Sequence, residues 1–283
     1  MSEQTASIPS LIDNKAGAYR ILPGGQVYCA GVVPYEGFEV VRVLLRPWIP
    51  LERAYSFIEK YLKSVGRPVQ AFCGIELRVP APLTFSQWAS FNVPYLKQLR
   101  EWGLIFGDQS GVCRSNIALA LNAPDTTSVC AFSYTVPTTE KVTTFFLSGT
   151  ADIDSGGKII AEGDTGAAAM QKRAGFTIAA VGATLKSLKV TWDDTTQVAL
   201  FHVADIPNLW TPTTEGTGFQ LRPTMAPLTQ PVKSVQMTAA RSATSSPVAQ
   251  EMPGSGCNIR GSRPVSSTAA SDASGDALKC SAM

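Results

Sequence analysis

Residues 84–102 read TFSQWASFNVPYLKQLREW, and this stretch decides how the rest of the chain is interpreted. Thr84 followed by Gln87 is the pattern of a helix N-cap with its capping-box partner. Large apolar side chains then recur at steps of three and four, which is one face of a helix: Phe85, Trp88, Phe91, Tyr95, Leu99 and Trp102. The stretch therefore predicts a helix, with a kink or break at Pro94 because proline has no amide hydrogen to donate.

A candidate anion site follows this helix. Residues 113–121 and 128–136 are short runs typical of neighbouring strands, and Arg114 opens the first of them. An arginine at a strand edge beside a helix that carries Asn92 and Tyr95 suits a carboxylate, because the planar guanidinium bonds two oxygens at once. The alternative interpretation is that Arg114 forms a structural ion pair at a subunit contact.

Length and charge restrict the class of protein. The 283 residues carry 24 Lys and Arg against 22 Asp and Glu, so the net charge of +2 predicts binding neither to nucleic acid nor to an anionic membrane. No apolar run reaches the roughly 18 residues that span a bilayer. Residues 1–14 are polar and do not resemble a secretory signal. We therefore expect a cytoplasmic protein.

The sequence also lacks the common motifs of metal and cofactor sites. Its six cysteines include no CxxC pair, so the spacing of a zinc knuckle or a thioredoxin-type site is missing. We find no phosphate-binding glycine loop, GxSxG elbow or HExxH helix. We expect neither a metal nor a cofactor, and a small-molecule carboxylate as the ligand.

The order of predicted elements begins again near residue 142, which indicates an internal repeat. Residues 145–149, FFLSG, correspond to residues 27–31, VYCAG, and Gly182 corresponds to Gly66 as a helix end. The offsets are 149 − 31 = 118 and 182 − 66 = 116. Asp164 is expected to cap the long helix of the second copy. The second copy has no helix with the Trp88 spacing, so it is incomplete at its C-terminal end.

These patterns predict an α+β fold of two tandem domains, each a mixed sheet with helices on one face. The predicted segments are an N-terminal extension over 1–17, a first domain over 18–138, a second, incomplete domain over 139–236 and a tail over 237–283. The tail is rich in Ser, Ala and Thr. It cannot bury enough apolar surface to offset an ordering entropy of about 1–2 kcal/mol per residue, so we expect it to be disordered.

Several motifs, taken in order, resemble the RidA/YjgF family. In the first half these are residues 28–31, the helix that ends at Gly66, the aromatic spacing of residues 88–95 with Asn92, and the pair Arg114-Ser115. In the second half, residues 146–149 and 158–164 (FLSG and KIIAEGD) resemble the opening hairpin and helix cap of the same family. The resemblance covers roughly residues 18–210.

The resemblance implies a chorismate-mutase-like fold, a homotrimer with pockets at its interfaces, and hydrolysis of a reactive enamine or imine to a ketone and ammonia. It also implies that Arg114 is the catalytic anchor of the substrate carboxylate. The pocket would be completed by the residues that match the family's other positions: Ser115, Gly31, Gly149, Asn92 and Tyr95.

Three functions remain open from the sequence. Active members of the family carry a glutamate on the last strand, whereas this chain has Cys130 or Val129 there, and neither side chain is a carboxylate base. Another group, such as Glu76 or Asp108, could take its place. The chain could then be an enamine or imine deaminase, a chorismatase-like hydrolase, since tandem chains also resemble the chorismatases, or a non-catalytic binding or structural homologue.

Overall fold

The structure is a computed structural model that describes residues 10–120, 122–141, 143–202, 204, 206, 234–239 and 241–242. The described residues form three α-helices: α1 Leu51–Ser64, α2 Phe85–Glu101 and α3 Ala167–Ser187. They also form thirteen strands: β1 Ile12–Asn14, β2 Tyr19–Leu22, β3 Gly31–Pro34, β4 Phe38–Pro50, β5 Phe72–Val79, β6 Ile105–Phe106, β7 Gln109–Ser110, β8 Cys113–Ala118, β9 Ser128–Pro137, β10 Phe145–Leu147, β11 Gln197–Phe201, β12 Ser234–Ala239 and β13 Arg241–Ser242.

Most of the strands belong to two sheets. One sheet has the order β1-β2-β3-β10-β12-β11 and its strand pairs are antiparallel. The other has the order β13-β4-β9-β5-β8 and is mixed, because β8 runs parallel to β5 and β13 runs parallel to β4. The predicted mixture of helices and sheets in an α+β fold is therefore confirmed.

Each sheet carries helices on one face. Ile58 of α1 and Leu99 of α2 pack with Ile75 and Phe132 of the five-stranded sheet. Val181 and other residues of α3 pack with residues of β2, β3 and β10 in the six-stranded sheet. Fully burying one large apolar side chain contributes about 1.5–3 kcal/mol, so these contacts hold each layer in place.

The two sheets pack against each other through a third apolar cluster. Val40 and Cys113 of the five-stranded sheet share this cluster with Ile21, Val32 and Phe146 of the other. The approach is close where the Phe146 ring covers a glycine: a Cβ at position 74 would lie 2.9 Å from the ring. The described part of the chain is therefore layered as helix, sheet, sheet, helix.

Local sequence signals explain where α1 and α2 begin and end. The predicted capping box of α2 is present, since Thr84 Oγ1 accepts from the Gln87 amide at 3.3 Å and Gln87 Oε1 accepts from the Thr84 amide at 2.8 Å. The predicted stop of α1 is also present: Gly66 adopts a φ of +69° and its amide donates to the Lys63 carbonyl.

Of the predicted kink or break at Pro94, the break is wrong, because α2 continues through the proline to Glu101, and the kink stays a prediction. Pro94 and its neighbour Val93 lie on the exposed side of the helix, and the apolar face that packs on the sheet lies opposite them. The packing of that face stabilises the helix on both sides of the proline.

Two predictions about α3 are corrected. The N-cap residue is Gly166, and Asp164 instead accepts from the Gly166 amide at 2.8 Å in the preceding turn. Gly182 lies inside the helix, which ends at Ser187 before Lys189 takes a φ of +58°. The correspondence of Gly182 with Gly66 as helix ends is therefore wrong.

The tandem arrangement is not confirmed. Gly31 of β3 pairs with Leu147 of β10, so the two motifs assigned to equivalent places in the repeat are neighbours in one sheet. The N-terminal strands β1 to β3 thus share a sheet with strands from the second half of the chain. The boundary predicted at 236/237 falls within β12, and residues 243–283 of the predicted tail lie outside the described residues.

No described helix combines the length and the apolar character needed to cross a membrane.

Candidate active site

Arg114 lies on β8, at the edge of the five-stranded sheet, and faces the helices. Its register partner on β5 is Ile75, which belongs to the core under α1 and α2. The residue is 3% exposed. Its guanidinium carbon lies 4.6 Å from the centre of the Trp88 ring, 4.5 Å from that of Tyr95 and 5.5 Å from that of Phe91. The aromatic face of α2 therefore forms a box around one cation.

The guanidinium in this box has no anionic partner among the described residues. Arg114 Nη1 and Nη2 are buried and form no hydrogen bond of ordinary length and angle there, although the Tyr95 hydroxyl lies near the guanidinium. Burial lowers the pKa of Arg114, and the nearby tyrosines Tyr95, Tyr28 and Tyr55 oppose that shift. A buried charge without an acceptor costs several kcal/mol, and two unpaired N–H groups in one plane match the two oxygens of a carboxylate.

Other unpaired polar groups lie on the same side of the sheet. Asn116 is two positions from Arg114 in β8, so both side chains leave the strand on the same side. Within the described residues, hydrogen-bond partners are missing for both amide atoms of Asn116, for Oδ1 of Asn92 and for the hydroxyls of Tyr55 and Tyr95. Asn92 lies on α2, one turn after Trp88 and one turn before Tyr95.

The two tyrosine hydroxyls stay protonated at neutral pH. Burial raises the pKa of Tyr55 to about 12, and Arg114 opposes the shift. Burial likewise raises the pKa of Tyr95 well above its ordinary value, again against the effect of Arg114. A protonated phenol donates a hydrogen bond to an anionic oxygen, so both side chains suit the same ligand as Arg114.

Two loops hold the backbone of this site. Ser148 Oγ accepts from the Arg114 amide at 3.0 Å and donates to the Cys29 carbonyl. The Gly149 amide donates to the Arg114 carbonyl at 3.1 Å, and the Cys29 amide donates to the Val112 carbonyl at 3.1 Å. The Cys29 contacts hold the loop that carries Tyr28 next to Arg114.

The structure brings together some of the predicted site residues. Arg114 and Tyr95 are in contact, the Gly149 amide bonds to the backbone of Arg114, and Asn92 lies on α2 one turn before Tyr95. Ser115 does not join them, because adjacent residues of a strand point to opposite faces. It pairs in register with Glu76, on the side that faces the other sheet.

Gly31 is also placed away from the arginine. A Cβ at this position would lie 2.7 Å from the side chains of both Leu147 and Leu188, in the core under α3. The glycine therefore serves close packing between β3, β10 and the end of α3. Its predicted contact with substrate stays a prediction.

The groups considered as substitutes for the missing glutamate lie outside the aromatic box. Glu76 forms a buried two-point ion pair with Arg42, and its Oε2 lies 4.0 Å from Arg78 Nη2. Asp108 is exposed in the turn between β6 and β7, where its Oδ1 accepts from Gln109. Neither carboxylate is positioned to serve Arg114.

Cys130 lies beside Glu76, between the two sheets. Its Sγ donates to the Glu76 carbonyl at 3.4 Å. Burial raises the pKa of Cys130 to about 11, so the thiol is protonated at neutral pH and is a weak nucleophile. No cluster of three or more potential metal ligands occurs among the described residues.

Sequence reasoning missed several members of the pocket. Asn116 could have been found, because strand alternation puts it on the same side as Arg114. Trp88 and Phe91 were assigned to a core face, and their spacing alone does not show that the face covers an arginine. Tyr55 sits on α1, and its approach depends on how α1 packs beside α2, which no local signal encodes.

Comparisons with known proteins point to one family. The model of the family described as 2-aminomuconate deaminase CnbZ matches residues 11–238. The chain is similar to a 2-amino-5-chloromuconate deaminase of Comamonas testosteroni, with 34% identity over 209 residues, which is 71% of this chain and 83% of that protein. No solved structure matches the chain significantly. These matches support a deaminase family, while the RidA/YjgF and chorismatase relationships stay predictions.

Proposed function

The chain belongs to the 2-aminomuconate deaminase CnbZ family, a family of deaminase-type enzymes that act on small unsaturated carboxylic acids, and on that premise we propose that it deaminates an aminomuconate-type substrate held by Arg114. The observation that carries the proposal is the buried guanidinium with two unpaired nitrogens inside an aromatic box. That arrangement suits a planar, conjugated carboxylate better than a structural ion pair, since no carboxylate of the described residues reaches it.

The proposed reaction is hydrolysis of an enamine through its imine. Protonation of the enamine at carbon gives the iminium, water adds to the iminium carbon, and the resulting carbinolamine expels ammonia to leave a ketone. The net change is H₂N–C(R)=CHR′ + H₂O → O=C(R)–CH₂R′ + NH₃. An iminium is already electrophilic, so the protein contributes chiefly by positioning substrate and water.

The pocket residues divide this work. Arg114 holds a substrate carboxylate through Nη1 and Nη2, and the hydroxyls of Tyr55 and Tyr95 donate to the same or a neighbouring oxygen. The rings of Trp88 and Phe91 exclude bulk water from the guanidinium, which strengthens its attraction for an anion. Cys130 and Glu76 have no direct part, because they lie on the other face of the sheet.

The experiment is a coupled assay with 2-aminomuconate as substrate and chorismate in parallel. We expect ammonia release together with loss of the conjugated ultraviolet absorbance for 2-aminomuconate, and no consumption of chorismate. Ammonia release no faster than in buffer would refute the deaminase, and consumption of chorismate would favour the chorismatase-like alternative.

We also propose that the protein assembles as a homotrimer, as the RidA/YjgF resemblance implies. Leu44 and Trp48 of β4 are 46% and 37% exposed, and Val93 of α2 is 68% exposed, so apolar side chains are available to an interface. Light scattering should give three times the 30.1 kDa mass of the chain. The mass of a single chain at micromolar concentration would contradict this expectation.

A further inference from the structure

The unpaired polar groups near Arg114 include hydrogen-bond acceptors as well as donors. The ligand that satisfies them therefore needs both acceptors and donors. Arg114 and the two tyrosines supply hydrogen-bond donors, which a carboxylate satisfies. A carboxylate ion cannot donate, so it leaves the amide oxygen of Asn116 without a partner. Buried acceptors in native proteins are satisfied in the large majority of cases, so a ligand that brings an N–H or O–H group of its own suits this site better than a carboxylate alone.

We propose that Asn116 binds the nitrogen of the substrate, with Oδ1 accepting from the amino group that is later released as ammonia. This inference rests on the proposed function and adds a residue that selects for nitrogen. The amino group next to a substrate carboxylate carries two N–H bonds. Oδ1 of Asn116 accepts one of them.

The geometry of β8 supports this assignment. Residues two apart on one side of a strand are separated by roughly 6.6 Å, so a ligand anchored at Arg114 reaches Asn116 without leaving the surface of the strand. Ile117 packs with Phe201 between the sheets, which leaves Asn116 on the opposite, helix-facing side with Arg114.

The assignment has a consequence for the reaction. The nitrogen is neutral in the enamine and positively charged in the iminium, and a hydrogen bond to a charged donor is stronger than one to a neutral donor. Asn116 would therefore bind the iminium more tightly than the enamine. An interaction that strengthens along the reaction coordinate raises kcat as well as affinity.

The test compares two planar aromatic acids that differ by one amino group, 2-aminobenzoate and benzoate. Their dissociation constants are measured by isothermal titration calorimetry on the wild-type protein and on Asn116→Leu, a variant of similar volume without hydrogen-bonding atoms. We expect the wild type to bind 2-aminobenzoate about 3- to 10-fold more tightly than benzoate, the contribution of one neutral hydrogen bond. The variant should bind both acids equally, with the affinity for benzoate unchanged.

Ser115→Ala serves as the matched control, because Ser115 is the neighbouring residue on the other face of the strand and should leave the preference unchanged. A preference that survives in Asn116→Leu overturns the inference. So does the absence of a preference in the wild type, or failure of both acids to bind. This outcome is separable from the proposed function. The wild type can show the preference for 2-aminobenzoate and Asn116→Leu can lose it, even if the wild type releases no ammonia from 2-aminomuconate.

Discussion

An Arg114→Met variant is expected to lose about 30- to 5,000-fold in kcat/KM for the aminomuconate substrate while folding as stably as the wild type, or more so. Truncating one partner of a buried, hydrogen-bonded charge pair costs about 2–5 kcal/mol in binding, which gives that range. In the free protein the guanidinium has no ion-pair partner among the described residues, so removing it leaves no charge stranded. Steady-state kinetics and urea unfolding measure the two effects.

A ligand anchor and a structural arginine differ in these two measurements. Loss of a ligand anchor lowers kcat/KM and leaves the stability unchanged or raised, whereas loss of a structural arginine lowers the stability. The kcat/KM of Arg114→Lys should lie between that of Arg114→Met and that of the wild type, because lysine keeps the charge and loses the planar guanidinium. Arg100→Met, at an exposed position in the last turn of α2, is the control and should change neither quantity appreciably. A variant at Arg114 that keeps its activity within about threefold, or that unfolds, would show that the arginine supports structure and not substrate.

A Glu76→Ala variant is expected to lose about 3–5 kcal/mol in the free energy of unfolding. Glu76 is 2% exposed and pairs with Arg42 through both carboxylate oxygens, and Arg42 Nη1 also donates to Gln197 Oε1 at 3.2 Å on the opposite sheet. Removing the carboxylate leaves Arg42 and the nearby Arg78, both largely covered with side chains 11% exposed, without a compensating charge. Urea unfolding followed by tryptophan fluorescence gives the difference.

The double variant Arg42→Met, Glu76→Leu tests this explanation. It removes both charges, so most of the lost stability should return. Glu101→Gln breaks the exposed pair with Lys97, whose side chains are 53% and 79% exposed, and should cost no more than about 1 kcal/mol. If Glu76→Ala were as stable as Glu101→Gln, the pair of Glu76 with Arg42 would not contribute the stability assigned to it.

Local signals predicted the elements that are specified by nearby residues. The capping box at Thr84 and the glycine stop at Gly66 are decided within one helical turn, and both are present. The strand β4 was missed, although residues 38–50 include a run of Val and Leu typical of strands. The start of α3 was placed two residues early, because Asp164 forms its own turn before the helix begins.

The sequence predicted those parts of the site that lie on a single helix or strand. The helical period predicts that Trp88 and Tyr95 share one face of α2, and the same helix carries Asn92. The family resemblance implies that Ser115 lines the site with Arg114, whereas the pleat sends its side chain to the other side of the sheet. Tyr28, in a loop, and Tyr55, on another helix, influence the pKa of Arg114, and only the packing of distant segments brings them near it.

A crystal structure with muconate bound would test the central claim most directly, because muconate has the carboxylates and conjugation of the substrate without its nitrogen. We predict one carboxylate within hydrogen-bond distance of Arg114 Nη1 and Nη2, under the rings of Trp88 and Tyr95. A carboxylate bound instead at Arg42 and Arg78 between the sheets, with Arg114 still covered by its aromatic box, would contradict the account.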